Sequence, residues 1–168
     1  MTVCMSSVSK YPPGESPQAT GVENPLSSLP AGTAMHRFAI RIYYEDTDLA
    51  GIVYYANYLK FIERARSEWL RELGVDQAAL QRAGLVFAVR RVEADYLSPA
   101  RFEDLVAVES RLHALSPARI VLDQAVIRDG RTLFQARVTL ACLAASGRPA
   151  RIPAEVAARL GAGGLAGN

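Results

Sequence analysis

From Phe38 onward the chain alternates. Phe38, Ile40, Ile42 and Tyr44 fall on one side of Ala39, Arg41 and Tyr43, a repeat of two that predicts a strand. Between Ala56 and Leu73 the period changes: Tyr58, Leu59, Ile62, Ala65, Trp69 and Leu73 recur at three- and four-residue spacings, as on one face of a helix, and Gly74 is a natural stop. Phe61 and Leu70 widen the apolar stripe, so this helix should be wrapped by something, most simply a sheet, while Arg64, Glu68 and Arg71 mark its solvated face. Asp76 is a candidate N-cap for a short helix ending near Ala83. Four further strands are expected over Leu85–Tyr96, Leu105–Leu115, Arg119–Arg128 and Arg131–Leu143. Asp129-Gly130 is a two-residue hairpin signal between the last two. Ala154–Leu160 suggests a final helical turn or two. The order of strand, long apolar helix and four-strand meander predicts an α+β domain in which a curved antiparallel five-stranded sheet wraps one central helix.

The ends read differently. Pro12, Pro13, Pro17, Pro25 and Pro30, among scattered Gly and Ser, leave residues 1–35 without a period, as expected of a disordered extension. Met35 directly precedes the folded pattern and is a candidate alternative start. The folded domain is expected over residues 36–160, and the Gly- and Ala-rich stretch 161–168 is expected to be a flexible tail.

Composition narrows the function classes. The chain has 168 residues, 50% hydrophobic and 21% charged, with a formal net charge of +2, which suits one soluble domain and gives no reason to expect nucleic acid as a partner. No apolar run approaches a membrane span and no continuous apolar stretch marks a secretory leader, so a cytoplasmic protein without stable membrane insertion is expected. Cys4 and Cys142 lack partners at ligand spacing, so neither a disulfide framework nor a metal site is expected. His36 and His113 read as surface or edge residues, and with no Ser or Cys at a nucleophile elbow they support no triad. Trp69 reads as core or interface.

The chemistry concentrates in Tyr44-Glu45-Asp46-Thr47-Asp48-Leu49-Ala50-Gly51-Ile52-Val53-Tyr54-Tyr55-Ala56-Asn57-Tyr58. Carboxylates at a strand end are followed closely by a helix start, whose free backbone N–H groups and positive dipole end can hold the oxyanion formed when a carbonyl is attacked. A carboxylate facing them can attack that carbonyl or activate a water. Gly51 lets the backbone turn. A solvated acidic turn has the same composition. Glu45 and Asp46 are better explained as turn-backbone acceptors or surface charges than as catalytic groups.

This string, with Glu63-Arg64-Ala65-Arg66 on the helix and Asp95-Tyr96 followed by Pro99-Ala100-Arg101, resembles the hotdog-fold thioesterases of the 4-hydroxybenzoyl-CoA thioesterase family, and is most similar to the Tol–Pal-associated, YbgC type. The likeness runs from Arg37 to Pro153. It implies a hotdog fold and hydrolysis of acyl-CoA thioesters carrying short-chain or aromatic acyl groups. No cofactor is implied, since the CoA thioester is the substrate. It implies Asp48 as the catalytic carboxylate and the backbone N–H of Tyr55 as the group that polarises the thioester carbonyl. It further implies Gly51, Val53, Tyr54, Asn57 and Tyr58 as substrate-binding positions, with Arg119 as the remnant of a basic cluster that meets CoA phosphates. A homodimer or homotetramer with sites at the subunit interface, and a link to cell-envelope maintenance, are implied too. Tyr55 departs from the Tol–Pal-associated type, which often carries His there; a Tyr donates a hydrogen bond but does not shuttle protons near neutral pH. The alternatives are an acyl-carrier-protein thioester as substrate, or a hotdog module that binds acyl groups or partners without turnover.

Overall fold

The computed structural model describes residues 35–165; the extension expected before Met35 and the chain end after Leu165 lie outside the described residues. Strand β1 (His36–Arg41) leads through one 3-10 turn (Tyr44–Asp46) and an irregular loop into helix α1 (Asn57–Glu72). A short helix α2 (Gln77–Arg82) precedes strands β2 (Leu85–Tyr96), β3 (Leu105–Ser116), β4 (Arg119–Arg128) and β5 (Arg131–Ala144), and helix α3 (Ala154–Leu165) closes the chain. The five strands form one antiparallel sheet in the order β1-β3-β4-β5-β2.

The alternating pattern explains the core. Val106 and Val108 on β3, Ile120, Leu122 and Val126 on β4, and Phe134, Val138 and Leu140 on β5 are buried on the face that receives α1. From the helix, Tyr58, Phe61, Ile62, Ala65, Trp69 and Leu70 fill that face. Full burial of a side chain such as Phe61 contributes roughly 1.5–3 kcal/mol, so this stripe is what fixes the helix on the sheet. One polar network interrupts the apolar layer. Gln124 is fully buried; its Oε1 accepts from Arg66 Nη1 at 2.8 Å, and its Nε2 donates to the Ile62 carbonyl at 3.0 Å and to Ser110 Oγ at 2.8 Å. Burial pushes the Arg66 guanidinium below its ordinary value, Glu63 partly opposing this.

The helix ends have definable causes. Asp76 caps α2 as expected, its carboxylate accepting from the Ala79 amide at 2.9 Å. At the C-terminus of α1, Gly74 takes φ +73, and Arg159 of α3 donates to the carbonyls of Leu73 and Gly74 at 2.9 and 2.8 Å, placing a cation where the helix dipole is negative. α3 is longer than the expected turn or two. Val156 and Leu160 bury it in the core, and this tertiary packing carries the helix into the Gly-rich stretch beyond Leu160.

His36 corrects an expectation: it is buried rather than on the surface. Its ring stacks on Trp69 with centroids 6.0 Å apart, and Nε2 lies 3.3 Å from the Glu72 carboxylate without hydrogen-bond alignment. His113 is exposed, as expected, and pairs through Nδ1 with the buried Asp123 at 2.8 Å.

Candidate active site

The loop between β1 and α1 is held by its own backbone. Thr47 and Val53 form an antiparallel bridge, the Asp48 amide donates to the Ile52 carbonyl at 2.9 Å, and the Gly51 amide donates to the Asp48 carbonyl at 2.9 Å. Gly51 sits at φ +71, where a β-carbon is strained, and nothing lies within 4 Å of where one would be. The result is a tight excursion with Asp48 at its entrance. Asp48 Oδ1 accepts from the Ala50 amide at 2.8 Å, which orients the carboxylate; Oδ2 has no hydrogen-bond partner among the described residues. The side chain is exposed, as are Gly51, Tyr54 and Tyr55.

The neighbouring helix start is left open. Its N-cap is Ala56, which has no side-chain oxygen to accept from the first-turn amides. Among the described residues neither the Tyr55 nor the Ala56 amide finds a backbone or side-chain acceptor. Loop and helix are stapled together at the Asp46 carbonyl, which accepts from the Tyr54 amide at 2.9 Å and from the Asn57 side-chain amide at 3.0 Å. Asp46 itself is buried, and its Oδ2 accepts from the Tyr43 amide at 2.9 Å, so it serves the turn; Glu45 faces solvent.

A third segment closes the arrangement. The Ala100 carbonyl accepts from the Val53 amide at 2.9 Å, and the Ala100 amide donates to the Tyr58 hydroxyl at 2.8 Å. Tyr96, the last residue of β2, donates from its hydroxyl to the Tyr55 carbonyl at 3.2 Å. Its ring meets Phe134 at 5.0 Å, Tyr58 at 5.7 Å and Tyr55 at 6.3 Å between centroids, while Tyr54 and Tyr55 lie 4.7 Å apart. These rings build an aromatic wall beside the open amides. The Tyr54 phenol is raised above its ordinary value, first by its pairing with the Tyr55 phenol, then by desolvation and least by the Asp48 charge. Desolvation raises the phenols of Tyr58 and Tyr96.

The expected site residues therefore divide. Asp48, Gly51, Tyr54 and Tyr55 come together at the open helix start. Val53, Asn57 and Tyr58, expected as substrate-binding positions, are buried and turned to the scaffold, because Val53 joins the apolar core and the polar groups of Asn57 and Tyr58 are taken by Asp46 and Ala100. Arg119 does not meet Asp48 within one chain. It starts β4 opposite Ser116, at the end of β3 remote from Leu105, where β1 pairs and leads into the Asp48 loop. Twelve strand residues separate the two places by roughly 35 Å. Arg119 lies instead in a groove with Ala88, Arg90, Ala141, Leu143 and Pro149. Among the described residues no cluster of three or more His, Cys, Asp or Glu is arranged to hold a metal. Tyr96 was missed as a site residue: its partner is a backbone carbonyl far along the chain, and no spacing in the sequence signals that contact.

A five-stranded antiparallel sheet around a central helix is the hotdog fold. Residues 43–160 match the Thioesterase-like superfamily, and the chain belongs to this family. It is 40% identical over 123 residues to the acyl-CoA thioesterase YbgC of Haemophilus influenzae, covering 72% of this chain and 90% of that protein. It is 36% identical over 112 residues to the acyl-CoA thioester hydrolase YbgC of Escherichia coli O6:H1, covering 66% and 84%. Among solved structures, a probable thioesterase from Bartonella henselae superposes with a TM-score of 0.68 at 37% identity, covering 71% of this chain and all of that one.

Proposed function

We propose that this protein is an acyl-CoA thioesterase that releases free acid and CoA, with Asp48 as its catalytic carboxylate. The observation that carries this reading is the pairing of a free Asp48 Oδ2 with uncapped amides at the start of α1, held in one unit by the Asp46 carbonyl. The relatives named as acyl-CoA thioesterases support it. The thioester carbonyl oxygen lies against the Tyr55 and Ala56 amides, which together with the helix dipole stabilise the developing oxyanion. Asp48 Oδ2 attacks the carbonyl carbon, the carbon–sulfur bond breaks, and the CoA thiolate takes a proton from water; water then hydrolyses the acyl-aspartyl anhydride. In the one-step variant Oδ2 takes the proton of an attacking water. The chemistry calls for no metal or organic cofactor. Hydrolysis in 18O-water under single turnover separates the two routes: label in the Asp48 carboxylate marks the anhydride.

The functional unit in this reading is at least a homodimer. β2 is an edge strand whose residues from Arg90 to Tyr96 are all exposed, with Val86, Val89 and Val92 uncovered along it, and an unpaired edge of this length is a template for a second chain. Antiparallel pairing of two β2 strands sets the Leu85 end of one against the Tyr96 end of the other. That brings Arg90 and Arg119 of one chain toward the Asp48 loop of its partner, where guanidinium groups suit the CoA phosphates. A buried free thiol at Cys142 suits the reducing cytoplasm, which we take as the compartment. Among the described residues no helix is long and apolar enough to cross a membrane.

The test is free-thiol release from short-chain, long-chain and aromatic acyl-CoAs, with wild type and Asp48→Asn side by side. Turnover by wild type and a loss of about 100-fold or more in the variant support the reading. Wild type inert on every CoA thioester but active on acyl-carrier-protein thioesters reassigns the carrier. Full activity in Asp48→Asn removes Asp48 from the mechanism.

A further inference from the structure

We infer that Tyr96 is a positioning residue for the oxyanion site: its hydroxyl holds the Tyr55 carbonyl and so aims the Ala56 amide at the thioester oxygen. The inference rests on the thioesterase reading above and adds to it the group that sets the direction of the oxyanion donor. Tyr55 precedes the N-cap of α1, so its carbonyl lies outside the helix ladder, and among the described residues no backbone amide donates to it. The Tyr96 hydroxyl, at 3.2 Å, is the donor it has. A trans peptide is planar, with the carbonyl of one residue and the N–H of the next pointing in opposite directions. Fixing the Tyr55 carbonyl therefore fixes the Ala56 N–H on the far side of the same plane, and that N–H is one of the two open amides. The Tyr55–Ala56 peptide is the central unit of a turn closed by the Asn57 amide on the Tyr54 carbonyl at 2.8 Å, and among the described residues the Tyr96 hydroxyl is the group that bonds to this peptide itself. Tyr96 itself is held firmly, with Phe134 and Tyr58 packed against its ring and its backbone paired with Phe134 at the end of β2. The hydroxyl is thus a fixed reference carried from the sheet to the helix entrance.

Tyr96→Phe keeps the ring and removes only the hydroxyl. Full-length variant and wild type are compared on whichever of butyryl-CoA and benzoyl-CoA wild type hydrolyses faster. We expect kcat to fall about 3- to 10-fold, the worth of one orienting hydrogen bond, with KM changed by less than about 2-fold. The second readout is the infrared carbonyl band of the same thioester, labelled with 13C at the carbonyl and bound to Asp48→Asn. We expect the band to move to higher frequency when Tyr96→Phe is added, because the carbonyl loses polarisation. A purely structural tyrosine would lower the melting temperature and leave the band in place. An unchanged kcat, or one carbonyl frequency in both backgrounds, overturns the inference. Full turnover by Asp48→Asn alone overturns the parent reading, whatever Tyr96→Phe does.

Discussion

The side chain of Asn57 donates to the main-chain carbonyl of Asp46 across 3.0 Å, joining the first residue of α1 to the acidic turn that precedes it. Both residues are buried, so the bond is shielded from water. It sets the distance between the Asp48 loop and the helix start, because the Tyr54 amide binds the same carbonyl.

Asn57→Ala removes one of these two donors and leaves the other. We expect a loss of about 1 kcal/mol in urea unfolding, the ordinary net worth of a hydrogen bond, and a several-fold fall in kcat from loosening of the loop against the helix. Wild-type kcat in a variant that has lost this stability would separate the staple from catalysis.

Gly51→Ala tests backbone strain without crowding. An added β-carbon meets nothing, so the cost comes from φ +71 alone, about 1–2 kcal/mol. Gly51→Asn should recover part of this, since Asn tolerates the left-handed region better. Equal stability of all three proteins in urea would show that the loop relaxes to another conformation.

Gln124→Leu strikes the buried network. Arg66 and Ser110 lose their shared partner inside the core, and the guanidinium is left without a hydrogen-bond acceptor. The expected loss is about 3 kcal/mol, read by chemical denaturation, with the largest share from the stranded charge. A neutral effect would mean that water reaches Arg66.

Val89→Asp places charge on the exposed edge strand. With the proposed dimer, sedimentation should then show monomers for the variant and a dimer or larger for wild type, and turnover should fall with dissociation, since Arg90 and Arg119 would no longer reach the partner's Asp48. A monomeric variant with full activity would establish that one chain is a complete enzyme.

Much of this architecture was legible in the sequence because its signals are local. The two-residue period that begins at Phe38 in β1 and the helical spacing from Tyr58 to Trp69 depend only on neighbours along the chain. Asp129 and Gly130 both take positive φ, as the turn they were read to form requires. The Asp48 loop stood out through its acidic residues and Gly51. What escaped was set by contacts distant in sequence. His36 is buried because Trp69 stacks on it. Asn57 and Tyr58 turn inward because the carbonyl of Asp46 and the amide of Ala100 wait there. Arg119 sits far from Asp48 because the antiparallel register, invisible to local pattern, sets it opposite Ser116, at the end of β3 away from Leu105.

The strand order also carries a consequence for how the chain folds. β3, β4 and β5 are consecutive hairpin partners, so their pairing closes short loops. β1 pairs with β3 across the whole stretch containing α1, α2 and β2, with Arg37 opposite Glu109. Closing so long a loop carries the larger entropic penalty, which makes β1 a late arrival on a preformed three-stranded nucleus. The Asp48 loop hangs directly from β1. With Asp48 acting as proposed, we expect an enzyme assay run during refolding to trail the fluorescence of the growing core.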